Sequence, residues 1–249
     1  ADPVVAGRAF IGLEHVWRTD DNGGDRPYLE AHCNTLHLDG ARKRPCGDWQ
    51  PMGPNLTGAN FGNTRVGQFV VAAERAPSDS GTLWVGTRIG RVFVSKNAND
   101  PQPRNVRFSR IDTPTTPGRF VSGIAIDPAD PNHAWISYSG YGAYTPESSA
   151  HVLEARYNPA TETAAFTDRS YDIGDQPVTG IVEFAPTGDL YAATDFGVLR
   201  LPNGATHWQD AGSGLPTAAV YGLTLSQSGH VLCAATHGRG AYSLSLPTP

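Results

Sequence analysis

One pattern recurs along this chain and constrains its fold more than any other feature of the sequence. It consists of a short apolar run, a glycine or polar corner, and a second run of similar length. The copies begin at Ala9, Leu83, Ala134, Leu190 and Val231. Short apolar runs bounded by Gly, Pro, Asp and Asn are typical of β-strands, whereas no long stretch combines helical periodicity with a cap. The sequence therefore predicts an all-β chain built from a repeated antiparallel unit.

The spacing of the copies indicates how these units assemble. Their starts lie 74, 51, 56 and 41 residues apart, and the longest interval contains an insertion with two cysteines. Four of the copies are preceded by a further strand. Four are followed by a strand that carries an aromatic residue, namely Trp49, Phe108, Phe166 or Trp208. A period of about 40–50 residues with four short strands is typical of β-propeller blades. We predict a β-propeller of four-stranded antiparallel blades, with about four and a half to five blades in this chain.

The predicted blades belong to a single domain or to the C-terminal part of one. Their approximate bounds are 1–53, 66–112, 119–173, 177–212 and 217–247. The first blade lacks an inner strand and the last lacks an outer strand, so the two cannot complete each other. Propellers close by pairing strands from both chain ends, because an open sheet edge promotes aggregation. We expect N-terminal blades or a partner chain to complete a larger propeller.

Composition excludes several classes of partner. The net charge of −5 argues against nucleic acid, which binds to a basic face. No apolar run approaches the roughly 18 residues of a membrane span. Lys43 and Lys96 are the two lysines among 19 basic residues, and this preference for arginine suggests a GC-rich, bacterial genome.

The three cysteines occur in two different settings. Cys33 and Cys46 lie 13 residues apart in a polar segment, where a disulfide would close a loop and contribute roughly 3 kcal/mol. The alternatives are two reduced thiols, or a metal site with His32 and His37, for which no second cysteine pair is present. Cys233 stands in an apolar run and is expected to be a free, buried thiol.

Several motifs carry a resemblance to a known family. Thr19-Asp20-Asp21-Asn22-Gly23-Gly24 matches the Asp-box pattern Ser/Thr-x-Asp-x-Gly, and its trailing aromatic would be Trp49. The segment 203–208 is a degenerate copy, and the turns at 127–132 and 236–240 are also similar. The chain thus resembles bacterial Asp-box (BNR, sialidase-like repeat) propellers. That group includes sialidases, xyloglucanase-type glycoside hydrolases, sortilin-type receptors and photosystem assembly factors, so it mixes enzymes with binding proteins.

The Asp box itself is expected to be structural. Its Asp accepts backbone N–H bonds within a hairpin and its Gly supplies a positive φ. A structural calcium ion at Asp20, Asp21, Asn22 and Asp25 is the alternative, although the Glu that an EF-hand loop requires is missing. No other cofactor or metal is predicted.

In a propeller, the loops leading into the inner strands and the corners between second and third strands share one face, here called the axial face. A glycosidase needs two carboxylates beside the scissile bond, and the candidates are Asp175 and Asp195, with Glu14 in reserve. The predicted ligand-binding residues are Arg88, Arg119, Tyr141, His237 and Arg239. The Arg-Ile-Pro element typical of sialidases is absent, since the chain has Arg88-Ile89-Gly90.

Two classes of function follow from the resemblance. The first is a secreted, extracellular propeller that binds or hydrolyses a glycan at its axial face, as a glycoside hydrolase if it is an enzyme. The alternative is a non-enzymatic propeller that binds another protein. Two buried carboxyl groups about 5–9.5 Å apart, with shifted pKa values, would favour hydrolysis, whereas exposed aromatic side chains without such a pair would favour binding.

The cysteine assignment gives a first testable prediction. Thiol titration of the unfolded, unreduced protein should detect one reactive thiol, that of Cys233, because a disulfide survives unfolding. Detection of three thiols would contradict both the disulfide and the extracellular location.

Overall fold

The computed structural model describes residues 2, 5–32, 48–62, 68–146, 148–226 and 229–247. In this part of the chain, 18 strands form five antiparallel sheets. Within each sheet the strands follow chain order, and each sheet packs against the next one along the chain. The predicted all-β class is confirmed, and the arrangement is that of a partial β-propeller.

The strands have the following bounds. The first sheet contains β1 (Ala9–Gly12), β2 (Val16–Thr19) and β3 (Gln50–Met52). The second contains β4 (Val70–Arg75), β5 (Leu83–Thr87), β6 (Val92–Ser95) and β7 (Ser109–Arg110). The third contains β8 (Val121–Ile126), β9 (His133–Tyr138), β10 (Val152–Asn158) and β11 (Thr163–Asp168). The fourth contains β12 (Val178–Phe184), β13 (Asp189–Thr194), β14 (Gly197–Leu201) and β15 (Gln209–Asp210). The fifth contains β16 (Val220–Leu225), β17 (Val231–Thr236) and β18 (Gly240–Ser245), and helix α1 (Arg26–His32) lies between β2 and β3.

One position on the second strand of the repeat controls how the sheets stack. When the five sheets are aligned by the pairing of their second and third strands, this position holds Phe10, Trp84, Trp135, Tyr191 and Cys233. The four aromatic side chains each pack against the following sheet. Trp84 also donates its Nε1–H to the carbonyl of Pro131 in the third sheet, at 2.9 Å. A large apolar group at this position therefore joins each sheet to the next.

Small residues lie where neighbouring sheets approach most closely. A Cβ atom on Gly12 would lie 2.1 Å from the carbonyl oxygen of Val70, and one on Gly86 would lie 2.3 Å from Cγ1 of Val121. Both contacts cross from one sheet to the inner strand of the next. Sheets that converge on a common axis leave least room at this position, so glycine fits there and larger side chains do not.

Cys233 corrects one prediction. It is free, as expected, but half-buried rather than buried, because no described sheet covers the side of the fifth sheet that carries it. In the first sheet, Ile11 lies on the face opposite to that of Phe10. No described sheet covers this face either, so Ile11 is 44% exposed. The predicted Cys33–Cys46 disulfide lies outside the described residues and stays a prediction.

The inner strands share a bulge that links adjacent sheets. In β4, β8, β12 and β16 the register shifts after the first paired residue, and such a shift bends a strand and increases its twist. Two bulge residues carry hydroxyl groups. Ser122 donates to the carbonyl of Val178 at 2.5 Å, and Thr179 donates to the carbonyl of Val220. Each bond ties one inner strand to the inner strand of the next sheet.

The Thr179 bond can be tested by an isosteric change. Thr179→Val keeps the shape but leaves the Val220 carbonyl without this donor, so unfolding should become easier by about 1–2 kcal/mol. Thr224→Val is the matched control, because among the described residues the Thr224 hydroxyl bonds only to the carbonyl of Leu225 next to it. This variant should change the unfolding free energy little. Equal unfolding free energies of the two variants in urea would contradict a role for this bond.

Candidate functional site

The axial face is held together by short backbone bonds. The N–H of Arg88 donates to the carbonyl of Phe69 at 2.9 Å, and Ser139 donates to Phe120 at 2.9 Å. In the fifth sheet, the N–H of His237 makes the equivalent bond to the carbonyl of Ala219 at 2.8 Å. Each bond joins a corner between the second and third strands to the residue that precedes the inner strand. These corners, the loops that lead into the inner strands, and the first two residues of those strands form one surface.

Exposed apolar side chains concentrate on this surface. Of the nine large ones that are exposed in the described residues, all but Ile11 lie on the axial face. They are Leu13, Phe69, Val71, Phe120, Tyr141, Tyr171, Phe196 and Tyr221. Phe196 and Tyr221 are 61% and 63% exposed, and the Tyr221 ring meets His237 edge-on at 5.5 Å between centroids. Exposed apolar patches of this kind are common at the binding sites of proteins.

The corner of the third sheet, 139–151, carries Tyr141 and rests on Arg119. Arg119 is 6% exposed. Its Nη1 donates to Thr145 Oγ1 at 3.0 Å and to the carbonyl of Ser148 at 3.4 Å, and Nη2 donates to the carbonyl of Ala150. The sequence predicts Arg119 as a ligand-binding residue, whereas the structure places it beneath the surface as the support of this loop.

Asp175 lies in the loop that leads into β12 and holds the same corner from the neighbouring sheet. Its Oδ1 accepts the N–H of Gly142 at 2.6 Å and approaches His151 Nε2 at 3.2 Å. The Gly142 N–H, then His151 and Arg119, hold the pKa of Asp175 below its usual value. The side chain is 57% exposed. An exposed, ionised carboxylate can accept hydrogen bonds from a ligand but is poorly suited to act as a general acid.

His151 is part of this arrangement although the sequence gives no signal for it. The residue is 1% exposed. Burial, together with the charge of Arg119, lowers its pKa, so the imidazole is neutral near pH 7. A neutral ring has one N–H, and the neighbouring carboxylate assigns that proton to Nε2. Nδ1 is buried and has no hydrogen-bond partner in the described part of the protein.

Asp195 meets the same corner from the other side. Its Oδ2 lies 3.5 Å from the phenolic oxygen of Tyr141, whose side chain is 47% exposed. Phe196 is the next residue after Asp195 in the chain. The structure therefore brings together three predicted residues, Asp175, Asp195 and Tyr141. Among the described residues, neither aspartate has a lysine or arginine nitrogen within salt-bridge distance.

The other predicted residues come from other sheets. Glu14 lies in the corner of the first sheet, Arg88 in that of the second, and His237 and Arg239 in that of the fifth, and all four are exposed. A sialidase-like grip on a carboxylate would require Arg88, Arg119 and Arg239 together. Because the guanidinium of Arg119 is bonded to main-chain carbonyls, this triad is not available.

Two carboxyl groups with raised pKa values lie on inner strands instead. Burial raises the pKa of Glu183 to about 7, with a smaller contribution from the charge of Asp127. Its Oε2 is buried and has no hydrogen-bond partner among the described residues. Burial likewise raises the pKa of Glu74 to about 6, but that side chain also borders solvent, which screens the effect. Glu183 is therefore the more strongly perturbed group.

The acidic residues of the Asp-box segment make contacts with the protein itself. Asp20 pairs with Arg8 at 2.5 Å and with Arg18 at 3.2 Å. The Thr19 hydroxyl donates to Asp21 at 3.1 Å and accepts the N–H of Gly23 at 2.7 Å. No group of three or more acidic, His or Cys side chains suited to a metal occurs in the described ranges. Calcium binding by Asp20, Asp21, Asn22 and Asp25 stays a prediction.

Comparison with solved structures supports the propeller fold. An ancestral GH74 enzyme matches 95% of this chain with 22% identity and a TM-score of 0.57. The extracellular domain of the hybrid two-component system BT4673 from B. thetaiotaomicron matches 97% with 18% identity and a TM-score of 0.57. The β-propeller domain of Myceliophteria thermophila Cps50 (Swd1) matches 72% with 14% identity and a TM-score of 0.50.

These likenesses show the fold alone. The chain spans 26% of the length of the GH74 enzyme and 26% of the BT4673 domain. No protein-family model and no curated protein matches the sequence. No helix in the described residues is long and apolar enough to cross a membrane.

The raised pKa of Glu183 predicts a pH-dependent stability. The folded pKa of about 7 lies above the usual 4.5, so the folded protein binds this proton more tightly than the unfolded chain. The associated stability is present below pH 4.5 and is lost as the pH rises through 7. Glu183→Gln cannot ionise and should unfold at a higher temperature than the wild type at pH 8, but at a similar temperature at pH 4.

Glu162→Gln is the control for this measurement, because Glu162 is exposed in a surface turn. Loss of its carboxyl group should leave the pH dependence of the unfolding temperature like that of the wild type. Differential scanning calorimetry of all three proteins between pH 4 and pH 8 makes the comparison. Parallel curves for the wild type and Glu183→Gln would contradict a proton-binding Glu183 with a raised pKa.

Proposed function

We propose that this chain is a secreted bacterial Asp-box propeller that binds an extracellular glycan at its axial face. The observation that carries the proposal is the concentration of exposed aromatic side chains on that face, next to the ionised Asp175 and to Asp195. The likeness to an extracellular bacterial domain supports the location. The predicted further blades or partner chain and the predicted disulfide belong to the same proposal.

Sugar chemistry suits this combination of side chains. A pyranose ring presents C–H groups on one face and hydroxyl groups at its rim. The faces of Tyr141, Phe196 and Tyr221 offer flat apolar surface for the C–H groups, and the two aspartates offer acceptors for the hydroxyls. Polar groups placed between aromatic surfaces are typical of ligand sites with a defined orientation.

The charge of the site selects among glycans. Asp175 and Asp195 flank the corner that carries Tyr141, and the nearby positive charge belongs to the buried Arg119. An anionic sugar would be repelled by the two carboxylates. The ligand is therefore a neutral or cationic saccharide rather than a sialic or uronic acid.

Binding is favoured over hydrolysis. A glycosidase acid needs a raised pKa, but that of Asp175 is lowered, and the raised values belong to Glu183 and Glu74 on inner strands and to Asp21 in the Asp-box segment. The similarity to a GH74 enzyme is a similarity of fold. A protein ligand is the alternative, since aromatic side chains also dominate protein interfaces.

Four hexasaccharides of different charge test the proposal. They are cellohexaose, chitohexaose, the cationic chitosan hexamer and the anionic hexagalacturonate. Isothermal titration calorimetry should detect a neutral or cationic member and no binding of hexagalacturonate. Tyr141→Ala and Phe196→Ala should each weaken that affinity by about tenfold, or about 1.4 kcal/mol.

Ile11→Ala is the control, because Ile11 is 44% exposed, close to the 47% of Tyr141, but lies away from the axial face. It should leave the affinity unchanged. Absence of binding to all four sugars would reject glycan recognition of these classes and favour the protein ligand. Cleavage of any of them, seen by chromatography and abolished by Asp175→Asn, would replace binding with hydrolysis.

A further inference from the structure

We propose that Tyr141, Asp195 and Phe196 form a subsite for one neutral or cationic pyranose ring, and that the buried His151 positions this subsite through Asp175. The ligand class rests on the proposed glycan binding. The positioning role rests on the hydrogen bonds of the corner 139–151.

The subsite spans two sheets. Tyr141 belongs to the third sheet, whereas Asp195 and Phe196 belong to the fourth. Their relative position is therefore set by contacts between the two sheets. On the axial face, Asp175 of the fourth sheet provides such a contact by accepting the N–H of Gly142, the residue after Tyr141, at 2.6 Å.

This contact is close. A Cβ atom on Gly142 would lie 3.3 Å from Asp175 Oδ1 and 3.6 Å from Arg119 Nη1. The carboxylate thus sits against the main chain of the corner, while Arg119 fixes the same corner at Thr145, Ser148 and Ala150. A main chain fixed before the ligand arrives loses less entropy on binding, which raises affinity.

His151 has a chemistry that a purely structural residue would not need. Its ring is buried with Nδ1 unpaired among the described residues, and an unpaired buried nitrogen destabilises the fold. An apolar side chain of similar size would avoid that cost. The one group that such a side chain could not supply is the Nε2–H, which lies 3.2 Å from Asp175 Oδ1. We therefore assign His151 as a positioning residue rather than a ligand contact.

The polar groups of the subsite are available to a sugar. The phenolic oxygen of Tyr141 and Oδ2 of Asp195 lie 3.5 Å apart, which is long for a bond between two oxygen atoms. Neighbouring hydroxyls of one ring can replace this contact with shorter bonds, and the exposed side chains of Tyr141 and Phe196 offer apolar surface to its C–H groups. Both aspartates repel an anion, so the ring that fits this subsite is neutral or cationic.

Amide hydrogen exchange tests the positioning role without any ligand. In His151→Leu, Asp175 loses a donor, so the Gly142 amide should exchange at least about tenfold faster, while the amides of β9 keep their rates. His151→Gln, which retains an N–H donor, should show a smaller change. Unchanged exchange at Gly142 in His151→Leu would overturn the positioning role.

A double-mutant cycle tests the link to binding. The probe is whichever of the four hexasaccharides binds the wild type most tightly. His151→Leu should weaken its binding about tenfold in the wild type, but hardly at all in Tyr141→Ala, because the positioned ring is then absent. An equal effect in both backgrounds would overturn the action of His151 through Tyr141.

The outcomes separate this inference from the function it rests on. If no sugar binds the wild type, the pyranose subsite fails together with glycan binding, and exchange at Gly142 still decides the role of His151. If His151→Leu does not fold, Asp175→Ala takes its place in the exchange experiment, because alanine removes the acceptor that asparagine would keep. Asp175 is exposed, so that variant should fold, and unchanged Gly142 exchange in it would equally reject the proposed contact.

Discussion

Sheets that pack face to face while converging on one axis leave little space near that axis and more space away from it. This wedge-shaped geometry accounts for the side chains on the second strand of each repeat. Gly12 and Gly86 occupy the narrow region, and a Cβ at either would enter the next sheet. Two residues earlier, Phe10 and Trp84 fill the wider region. The pairing of a small and a large residue thus sets the angle between sheets.

The same geometry separates the residues that hold the fold from those available for function. The packing positions lie in the middle of the strands, whereas the corners and leading loops extend beyond the packed faces. A corner can therefore lengthen without changing the packing, as the 139–151 connection does. Its support comes from polar contacts by Arg119 and Asp175 rather than from apolar burial. Such loops on a rigid scaffold are where binding residues are usually found.

The sequence predicts the sheets well because apolar runs and turns repeat along it. The sequence also predicts that Asp175, Asp195 and Tyr141 lie on one face, because each stands in a loop or corner of the repeat that belongs to the axial face. Exposure is harder to predict: Phe120 and Val121 are neighbours in one apolar run, yet one is 40% exposed and the other is fully buried. Which residue ends up outside depends on where the bulge starts, and that is a property of the pairing between strands.

Individual polar contacts are the other part that the sequence does not reveal. The Pro-Gly loop around Arg119 indicates a surface arginine. A guanidinium with five donors can, however, bond to several carbonyls at once, and the corner 139–151 provides such carbonyls. His151 precedes an apolar strand and carries no motif. Its role depends on a carboxylate from the next sheet, 24 residues further along the chain. Cys233 shows the same limit for burial, because its run is apolar but no described neighbour covers it.

The carboxyl groups divide into two classes according to the backbone around them. Strand N–H groups are already paired in the ladder, so a carboxyl on an inner strand finds few donors, and burial raises its pKa, as at Glu183. Loops leave N–H groups unpaired, and Asp175 accepts one from Gly142 that lowers its pKa. A carboxylate held in this way stays ionised and fixed, which suits hydrogen bonding to a ligand. Asp21 is a loop carboxyl whose pKa is raised chiefly because it shares a hydrogen bond with Asp48. The raised values of Glu183 and Glu74 come instead from burial on the inner strands, away from the aromatic surface of the axial face.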